Sequence, residues 1–482
     1  MKLRILLFLF ILQVGELFAQ PIILWDTEVI VADGSMYGNT RPRIALSSGD
    51  TPVVIWGKGA TGELFTARWN GAGFDLPVAI LPPNVQSYLS SWTGPDLEAK
   101  GDVMVAVFKA MPLEGGHVLT VRSTDGGISW SDTIRADSHN NGGVVWLPSM
   151  AMDENANPSV IYMAHDPVWA TPRYVVSHSL DQGLTFQNEM NIAASIPDEA
   201  CDCCPAEYVI DGNQHALLFR NNAANIRDVY AVYSDDDGLS YTGTENIDQL
   251  NWNITSCPST GPDGVFNNGN LFSVYASRAS GSYRVYLSQT STNPLLSFSS
   301  RVMMSAPTNT NGVQNYPRID ASNDTIAMIW QESETSNYEI FTALTTTGNL
   351  NELVNSKALV NTSTNGAQTN PDILFSNRTV HVVYQDSPTG SVIYKRGTLS
   401  GLGLEEQPTN TFIPSPNPSF TGTFELVDVH SCFEVYDPHG KKAKYDRYET
   451  SDKTLIQLHE KGVFYVCLEK GSEWSVIKIV YL

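Results

Sequence analysis

The sequence predicts an all-β protein, a seven-bladed β-propeller followed by a small C-terminal β-sandwich. A proline that opens an apolar run is followed 13 or 14 residues later by an aromatic residue, and this pair occurs seven times. Successive prolines of these pairs are 53 to 57 residues apart, a period typical of propeller blades. The pairs are Pro42 and Trp56, Pro95 and Phe108, Pro148 and Tyr162, Pro205 and Phe219, Pro262 and Tyr275, Pro317 and Trp330, and Pro371 and Tyr384.

Each repeat unit is predicted to begin with two antiparallel strands, the first led by the proline and the second ending at the aromatic residue. Asp-Gly, Asn-Gly and Ser-Gly pairs supply the turns between strands. The last unit is incomplete, because only one further strand, residues 391–396, follows Tyr384. An unmatched apolar strand, residues 22–32, is expected to complete that unit and to close the ring, which removes exposed strand edges.

A third strand leads into a recurring turn at residues 123–130, 179–186 and 234–241. Each turn contains an aspartate whose carboxylate is expected to accept backbone N–H bonds, so its role is structural. These aspartates are Asp125, Asp181 and Asp236. The turns resemble the Asp-box of the sialidase superfamily, and the resemblance implies a propeller of that superfamily. Familiar sialidase domains have six blades, so seven blades are a departure that weakens a direct transfer of activity.

Four segments are predicted along the chain: a signal peptide (1–20), the propeller (21–398), a linker (399–411) and a C-terminal domain (412–482). The first segment has a basic start and an apolar run, residues 5–14, that is too short to span a bilayer. No later stretch has the length and apolar character of a transmembrane helix. The sequence therefore predicts a protein that is exported across the inner membrane.

The C-terminal segment contains short strands of alternating apolar residues separated by Pro, Asn and Gly, which predicts the small β-sandwich. Its ordered motifs are residues 416–418, 422–424, 435–441, 461–466 and 478–480. They resemble the type A C-terminal sorting domain of the type IX secretion system. This resemblance implies that the secretion machinery is a partner and that the protein is secreted or held on the outer-membrane surface after passing through the periplasm. The alternative is an ordinary β-domain that stays attached and binds a ligand.

The net charge is −22, which disfavours nucleic acid and anionic membranes as partners because binding to phosphates needs a basic face. It also repels an acidic glycan unless arginines are concentrated locally.

Ligand binding is expected on the propeller face that carries the connections into the first strands, opposite the Asp-box turns. Aromatic, amide and charged side chains on this face suit a glycan or an extracellular protein. The candidate ligand-binding residues are Trp92, Trp146, Arg227, Asp228 and Trp252; the same face is predicted to include Arg41, Asp96, Asn370 and Asp372.

The sialidase resemblance implies three arginines that bind a carboxylate, a tyrosine nucleophile activated by a glutamate, and an aspartate acid/base. The family's opening Arg-Ile-Pro corresponds to Arg43-Ile44-Ala45, so Arg43 is carried over although alanine replaces the proline. The remaining candidate catalytic residues are Arg220, Arg278, Arg318, Tyr316 and Glu332, with Tyr316 as nucleophile and Glu332 as its base. The alternative is that these charges form salt bridges between blades or are solvated at the surface.

Four cysteines are predicted to meet on the ligand face. Cys201, Cys203 and Cys204 precede Pro205, and Cys257 lies in the equivalent connection of the next unit. An oxidising compartment favours two disulfides and no cofactor. The alternative is a thiolate site for zinc or Cu(I), with His139 or His165 nearby.

The Cys-x-Cys-Cys-Pro motif with the downstream Arg227-Asp228 resembles a group of secreted, sialidase-like propeller proteins, which supports the fold and leaves the reaction open. In the C-terminal domain, Cys432 and Cys467 would either form a bridge or remain free thiols. Two functions therefore stay open: a sialidase-like, glycan-active enzyme with exo-sialidase-type hydrolysis, or a propeller that binds a glycan or a protein without turnover.

Overall fold

The computed structural model describes residues 22–34, 38–139, 143–192, 196, 199–293, 296–309, 311–333, 337–400, 416–427, 433–438, 440–449, 453–470 and 473–482. The predicted signal peptide and residues 401–411 of the predicted linker lie outside these ranges. The chain divides into two compact units, residues 1–400 and 401–482. Among the described residues, no helix has the length and apolar character needed to cross a membrane.

The first unit consists of short strands and one short helix. The strands that begin it are β1 (Ile22–Trp25), β2 (Val29–Ala32), β3 (Asn39–Ser47), β4 (Thr51–Lys58), β5 (Glu63–Arg68), β6 (Val78–Ala79), β7 (Asp96–Lys100), β8 (Val103–Lys109), β9 (Val118–Ser123), β10 (Ile134–Arg135), β11 (Val144–Met152), β12 (Pro158–His165), β13 (Arg173–His178) and β14 (Met190–Asn191). They are followed by β15 (Glu199–Ala200), β16 (Glu207–Asp211), β17 (Gln214–Asn222), β18 (Val229–Ser234), β19 (Gly243–Asn246), β20 (Asp263–Asn267), β21 (Asn270–Ser277), β22 (Arg284–Ser291), β23 (Ser297–Met303), β24 (Gln314–Ser322), β25 (Thr325–Ser333), β26 (Tyr338–Thr345), α1 (Leu350–Asn355), β27 (Ala358–Leu359), β28 (Gln368–Ser376), β29 (Thr379–Asp386) and β30 (Ser391–Ser400).

Within the described part of this unit, the strands form seven antiparallel sheets of four or five strands. The sheets are β3–β6, β7–β10, β11–β14, β15–β19, β20–β23, β24–β27, and β28–β30 with β1 and β2. The leading strand of each sheet contacts that of the next, in the order β3, β7, β11, β16, β20, β24 and β28, and β28 contacts β3 again. The contacts thus run in a closed cycle, as in a propeller-like all-β fold.

The N-terminal strands complete the last sheet. The predicted single strand at residues 22–32 is two strands, and both pair with β30, with Ile22 opposite Ser400 and Val29 opposite Tyr394. Because β30 continues to Ser400, residue 399, where the sequence placed the start of the linker, lies inside a strand.

The aromatic residue of each repeat anchors the packing between sheets. Each of the seven is at most 2% exposed. Full burial of one such side chain contributes roughly 1.5–3 kcal/mol. These residues are Trp56, Phe108, Tyr162, Phe219, Tyr275, Trp330 and Tyr384.

The second unit contains β31 (Thr423–Val427), β32 (Phe433–Tyr436), β33 (Tyr445–Glu449), β34 (Lys453–Leu458), β35 (Gly462–Lys470) and β36 (Glu473–Tyr481). In its described residues, these strands form two three-stranded sheets, β31-β34-β33 and β32-β35-β36. Phe424 and Ile456 from one sheet share a buried cluster with Val435, Val466 and Ile479 from the other. Two packed sheets agree with the predicted β-sandwich. Cys432 and the side chain of Cys467 lie outside the described residues.

Candidate functional site

A depression of about 610 Å³, solvent included, lies where the leading strands of the sheets converge. Its wall follows the sequence repeat, because the proline that opens a unit lines it in six of the seven units, and Arg41 and Arg43 line it in the first. The lining includes Pro95, Pro148, Pro205, Pro262, Pro317 and Pro371, and the side chains Arg41, Arg43, Trp92, Asp96, Ser149, Glu207, Tyr316, Arg318 and Asn370.

A backbone bulge occurs beside the proline in four units, and in three of them the displaced side chain lines the depression. The register of the first two strands shifts just before the proline, and the residue preceding the proline has a positive φ. A bulge inserts one residue into a strand and reorients its side chain. The four residues are Arg41 (φ 57°), Leu147 (φ 51°), Tyr316 (φ 49°) and Asn370 (φ 53°).

The residues that follow the prolines form an ion-pair belt, which we define as Arg43, Asp96, Ser149, Glu207, Asp263, Arg318 and Asp372. Arg318 is its centre. The guanidinium of Arg318 lies 2.5 Å from Glu207, 3.0 Å from Asp263 and 3.5 Å from Asp372, and these carboxylates come from three other sheets. One arginine therefore joins four of the seven sheets.

Carboxylates of the belt also hold neighbouring sheets by their backbones. The carboxylate of Asp372 accepts a hydrogen bond from the Ile44 N–H at 3.0 Å, across the boundary between β28 and β3. Asp263 accepts from the Ile319 N–H at 2.7 Å in the same way. Hydrogen bonds to charged groups are worth about 1.5–3 kcal/mol, so these contacts stabilise the ring of sheets.

Burial raises the pKa of carboxyl groups in the belt and beside it. Burial raises the pKa of Glu207 to about 8. The positive charge of Arg318 opposes this shift, and the negative charges of Asp96 and Asp263 add to it. Burial likewise raises the pKa of Asp320 to about 7. The pKa of Glu98 is raised well above its ordinary value by burial and by the charge of Asp96. Burial inside the ring thus raises the pKa of several carboxyl groups.

Arg41 differs from the arginines of the belt. Its guanidinium donates to the Asn370 Oδ1 at 2.9 Å and to the Ser91 carbonyl at 3.4 Å, and it lies 5.9 Å from the centre of the Tyr316 ring. Its Nε, like that of Arg43, is buried and has no hydrogen-bond partner, but the Arg43 Nε lies 4.0 Å from the Asp96 carboxylate. Among the described residues, no carboxylate forms an ion pair with Arg41. Burial and the charges of Arg43 and Arg318 lower the pKa of Arg41, which is the environment of a cation that lacks an anion.

The structure brings together only part of the predicted catalytic set. Arg43, Arg318 and Tyr316 line the depression. Arg278 is instead exposed and donates to the Gly281 carbonyl.

Arg220 is fully buried away from the depression lining. It donates to the carbonyls of Thr260, Arg227 and Ala276, and it packs 5.1 Å from the centre of the Trp252 ring. All three of its side-chain nitrogens donate to backbone carbonyls, so the guanidinium of Arg220 has a structural role.

Tyr316 and Glu332 do not form the predicted nucleophile and base. Glu332 is buried, accepts from Gln314 at 2.7 Å and Trp330 at 2.9 Å, and forms an ion pair with Lys357. Pairing within β24 and β25 places Glu332 opposite Gln314, whereas Tyr316 sits in the bulge, so the side chains diverge. The pKa of Tyr316 is raised by burial, which is the opposite of an activated nucleophile.

The predicted ligand-binding residues lie in three places. Trp92 lines the depression, and its buried indole Nε1 has no hydrogen-bond partner. Trp146 belongs to a separate aromatic cluster, where it donates to the His165 Nε2 at 3.2 Å and stacks edge-on against Trp169 at 5.6 Å.

Arg227, Asp228 and Trp252 have structural contacts with one another. The Asp228 carboxylate accepts from the Trp252 N–H at 2.9 Å, and the Arg227 N–H donates to the Trp252 carbonyl at 2.8 Å. Their backbones thereby tie the loop after β17 to the connection that leads into β20.

The Asp-box aspartates make the predicted turn contacts. The Asp236 carboxylate accepts from the Ser240 N–H at 2.8 Å and from the Ser240 hydroxyl at 2.6 Å, and these bonds lower its pKa to about 2. Asp181 makes the same pair of bonds with Thr185, as Asp125 does with Ser129. Each carboxylate is used by its own turn.

The four cysteines predicted to meet are together. Cys203 and Cys257 form a disulfide with their Cα atoms 6.3 Å apart, which ties the fourth unit to the fifth. Cys201 and Cys204 are free, and their sulfur atoms are 3.0 Å apart. The sulfurs of Cys201, Cys203 and Cys204 all lie within 4.8 Å of one another, and neither His139 nor His165 belongs to this group.

Sequence reasoning missed the two acidic residues Glu207 and Asp263. The signal was present in the repeat, because both stand one or two positions after the unit's proline, where Arg43, Asp96, Arg318 and Asp372 stand in other units.

No protein-family model matches the chain, and no curated protein matches it. Several solved structures are similar. A protein of unknown function from Dyadobacter fermentans has a TM-score of 0.48 and 10% identity, over 78% of this chain and 99% of that one. A Trypanosoma rangeli sialidase has a TM-score of 0.44 and 11% identity, over 92% of this chain and 83% of that one. The GH93 α-L-arabinofuranosidase of Fusarium graminearum has a TM-score of 0.43 and 13% identity, over 78% of this chain and 98% of that one. At such low scores and identities, these similarities carry no argument about activity.

Proposed function

We propose that the first unit is a seven-bladed β-propeller that binds the acidic group of a glycan in its central depression, without turnover. The observation that carries this proposal is Arg41, a buried cation that has neutral hydrogen-bond partners, an orphaned Nε, and a position in the depression wall. A buried charge without a counterion is costly, and a bound carboxylate would supply the missing partner. Arg43 and Arg318 are paired with carboxylates of the belt, so Arg41 is the arginine of the depression that is left to bind an acidic sugar.

The remaining lining suits a sugar. The indole of Trp92 offers an apolar surface and an unused N–H, and the ring of Tyr316 lies beside Arg41. Aromatic rings stack on the apolar faces of sugar rings, while amide and guanidinium groups bind hydroxyls and carboxylates.

Glycoside hydrolysis of the exo-sialidase type is the second candidate. Burial raises the pKa of Glu207 to about 8, which is the direction expected of a general acid. Both of its oxygens, however, are bonded within the belt, to Arg318 and to Ser149. Among the described residues, no carboxylate forms a hydrogen bond with Tyr316. Binding therefore accounts for more of the site than catalysis does.

The experiment pairs a glycan array with a fluorogenic sialoside assay on the purified full chain. We expect binding to acidic glycans, no binding to their neutral counterparts, and no release of the fluorophore. The Arg41→Gln variant should lose binding, and the exposed Arg278→Gln variant should keep it. Equal binding of acidic and neutral glycans would contradict the binding proposal. Release of the fluorophore by wild type but not by Glu207→Gln would also contradict it.

We further propose that residues 412–482 are a type IX sorting domain, and that the protein reaches the medium or the outer-membrane surface. The two packed sheets of the second unit and the ordered motifs at residues 416–480 support this assignment. Expression with and without residues 412–482 in a bacterium with this secretion system tests it. Retention of the truncated protein in the periplasm is expected, whereas equal export of both forms would refute the assignment.

A further inference from the structure

The four cysteines combine a disulfide with a dithiol in one cluster. The Cys203–Cys257 disulfide joins the connection before β16 to the connection before β20, and Cys257 is exposed. Cys201 and Cys204 are almost fully buried, at 0% and 1% exposure. The cluster therefore consists of a partly exposed disulfide pair and a buried pair of thiols.

A tight turn sets the spacing of the buried pair. The Cys204 N–H donates to the Cys201 carbonyl at 3.3 Å, and the Cys201 N–H is fixed to the Arg220 carbonyl at 2.8 Å. This turn brings the Cys201 Sγ to 3.0 Å from the Cys204 Sγ and to 3.7 Å from the Cys203 Sγ. Cys201 is thus in contact with both its potential disulfide partner and one sulfur of an existing disulfide.

The surroundings favour the thiolate of Cys201 over that of Cys204. A hydrogen bond from Cys204 and the charge of Arg227 lower the pKa of Cys201 to about 7, against the effect of its own burial. Burial and the neighbouring Cys201 raise the pKa of Cys204. Arg227 is itself 8% exposed, and two of its guanidinium nitrogens have no hydrogen-bond partner. The thiolate is the nucleophile in disulfide exchange, so Cys201 is the attacking group.

We propose that the cluster is an internal disulfide-exchange site, in which the buried Cys201–Cys204 dithiol is oxidised by the Cys203–Cys257 disulfide beside it. In the first step the Cys201 thiolate attacks the Cys203 Sγ, a Cys201–Cys203 bond forms, and Cys257 leaves as a thiolate. In the second step Cys204 attacks the Cys201 Sγ, a Cys201–Cys204 bond forms, and Cys203 leaves.

The exchange balances without an outside oxidant. Two electrons and two protons pass from the Cys201–Cys204 pair to the Cys203–Cys257 pair, so one disulfide is consumed and one is formed. The exposed Cys257 then presents a thiol that a small thiol or disulfide, such as glutathione, can reach. The exposed pair thereby carries reducing equivalents between solvent and the buried pair.

The exchange would also open the covalent link between the fourth and fifth units. These connections touch, because a Cβ added to Gly261 would lie 2.2 Å from the Pro205 carbonyl oxygen. Both Pro205 and Pro262 line the depression. The two connections that the disulfide joins therefore lie in the wall of the proposed binding site, although the exchange itself does not depend on what binds there.

The test maps disulfide linkages in the full chain. Protein equilibrated in glutathione buffers is freed of glutathione, quenched in acid at several times, alkylated under denaturing conditions and digested without reduction. Mass spectrometry should find molecules with one disulfide among the four cysteines, either Cys203–Cys257 or Cys201–Cys204. The two isomers should interconvert at a rate that does not depend on protein concentration.

Two variants distinguish the steps. Cys201→Ser removes the attacking thiol, so the Cys203–Cys257 linkage should persist unchanged. Cys204→Ser permits the first step only, so a Cys201–Cys203 linkage should accumulate. If wild-type protein keeps Cys201 and Cys204 as a dithiol at every glutathione ratio, the proposal is wrong. Stoichiometric zinc or copper that protects all four thiols from alkylation until a chelator is added would overturn it as well.

Discussion

Residues on either side of the repeated proline have opposite roles in this molecule. The residues after the proline form the ion-pair belt, where Arg318 binds three carboxylates and Asp263 and Asp372 hold backbones of adjacent sheets. The residue before the proline in the first unit, Arg41, lies two positions from Arg43, is equally buried, and has no carboxylate partner among the described residues. Burial alone therefore does not tell whether a charged residue stabilises the fold or binds a ligand. A residue with counterions, such as Arg318, stabilises the fold, and a residue without one, such as Arg41, is available to a ligand.

The bulge is the physical origin of this difference. The inserted residue is displaced from the strand register, so its side chain lies outside the alternation that points neighbouring side chains between the sheets. Arg41, Tyr316 and Asn370 share this conformation, and Arg41 contacts the other two on the depression. A strained backbone at three positions that converge on one site is the arrangement expected of a functional surface.

Removal of Arg318 should have the largest effect. Arg318→Met leaves Glu207, Asp263 and Asp372 buried without their cation, and breaking a buried ion pair by removing one partner costs about 3–5 kcal/mol. Urea denaturation of the full chain measures the change, with the exposed Arg278→Met as the matched control. A loss no larger than that of the control would mean that the belt does not hold the sheets together.

Removal of Arg41 should have the opposite effect to removal of Arg318: little change in stability and a large loss of ligand affinity. Arg41→Met eliminates a buried, unpaired cation, so the free energy of unfolding should change by no more than about 1 kcal/mol. Affinity for an acidic glycan should fall by about 2 kcal/mol or more, which exceeds a tenfold change. Calorimetric titration and urea denaturation of the same preparation check both values. A variant that is strongly destabilised and yet retains affinity would reverse the assigned roles of Arg41 and Arg318.

Replacement of Glu98 should have a smaller effect on stability, and this effect should increase with pH. Burial, and then Asp96, raises the pKa of Glu98 well above its ordinary value, so Glu98 takes up a proton on folding. Its contribution to stability is fully present below the unfolded pKa of roughly 4.3 and is lost as the pH rises through the higher folded pKa. Glu98→Gln should therefore raise the melting temperature by a few degrees at pH 8 and by less at pH 5. The exposed Glu154→Gln should show no such difference, and equal shifts of the Glu98 variant at both pH values would contradict the prediction.

The sequence predicted the repeat well because its signals are local. The proline and aromatic positions mark the first two strands of every sheet, and the apolar pattern of residues 22–32 predicted the completion of the last one. The Asp-box contacts were also predictable, since each involves residues within four positions of the aspartate.

The site was less predictable, because its contacts join residues far apart in the chain. Arg318 and Glu207 are 111 positions apart, and Arg41 and Asn370 are 329 apart. Sequence reasoning grouped Arg220 and Arg278 with the ligand face by their place in the repeat, but it could not show that backbone carbonyls satisfy both guanidinium groups. It placed the four cysteines together correctly, yet the partner of Cys257 depended on the fold of the connections before β16 and β20.

The central claim is that Arg41 binds the acidic group of a glycan. A comparison of the thermal shifts caused by N-acetylneuraminate and by its methyl ester tests this claim most directly. A ligand that binds only the folded state raises the melting temperature in proportion to the logarithm of its concentration above Kd. We expect the acid to stabilise wild type, the uncharged ester to do so much less, and Arg41→Gln to respond equally little to both. Equal stabilisation by the acid and the ester, or an acid response that Arg41→Gln retains in full, would contradict the claim.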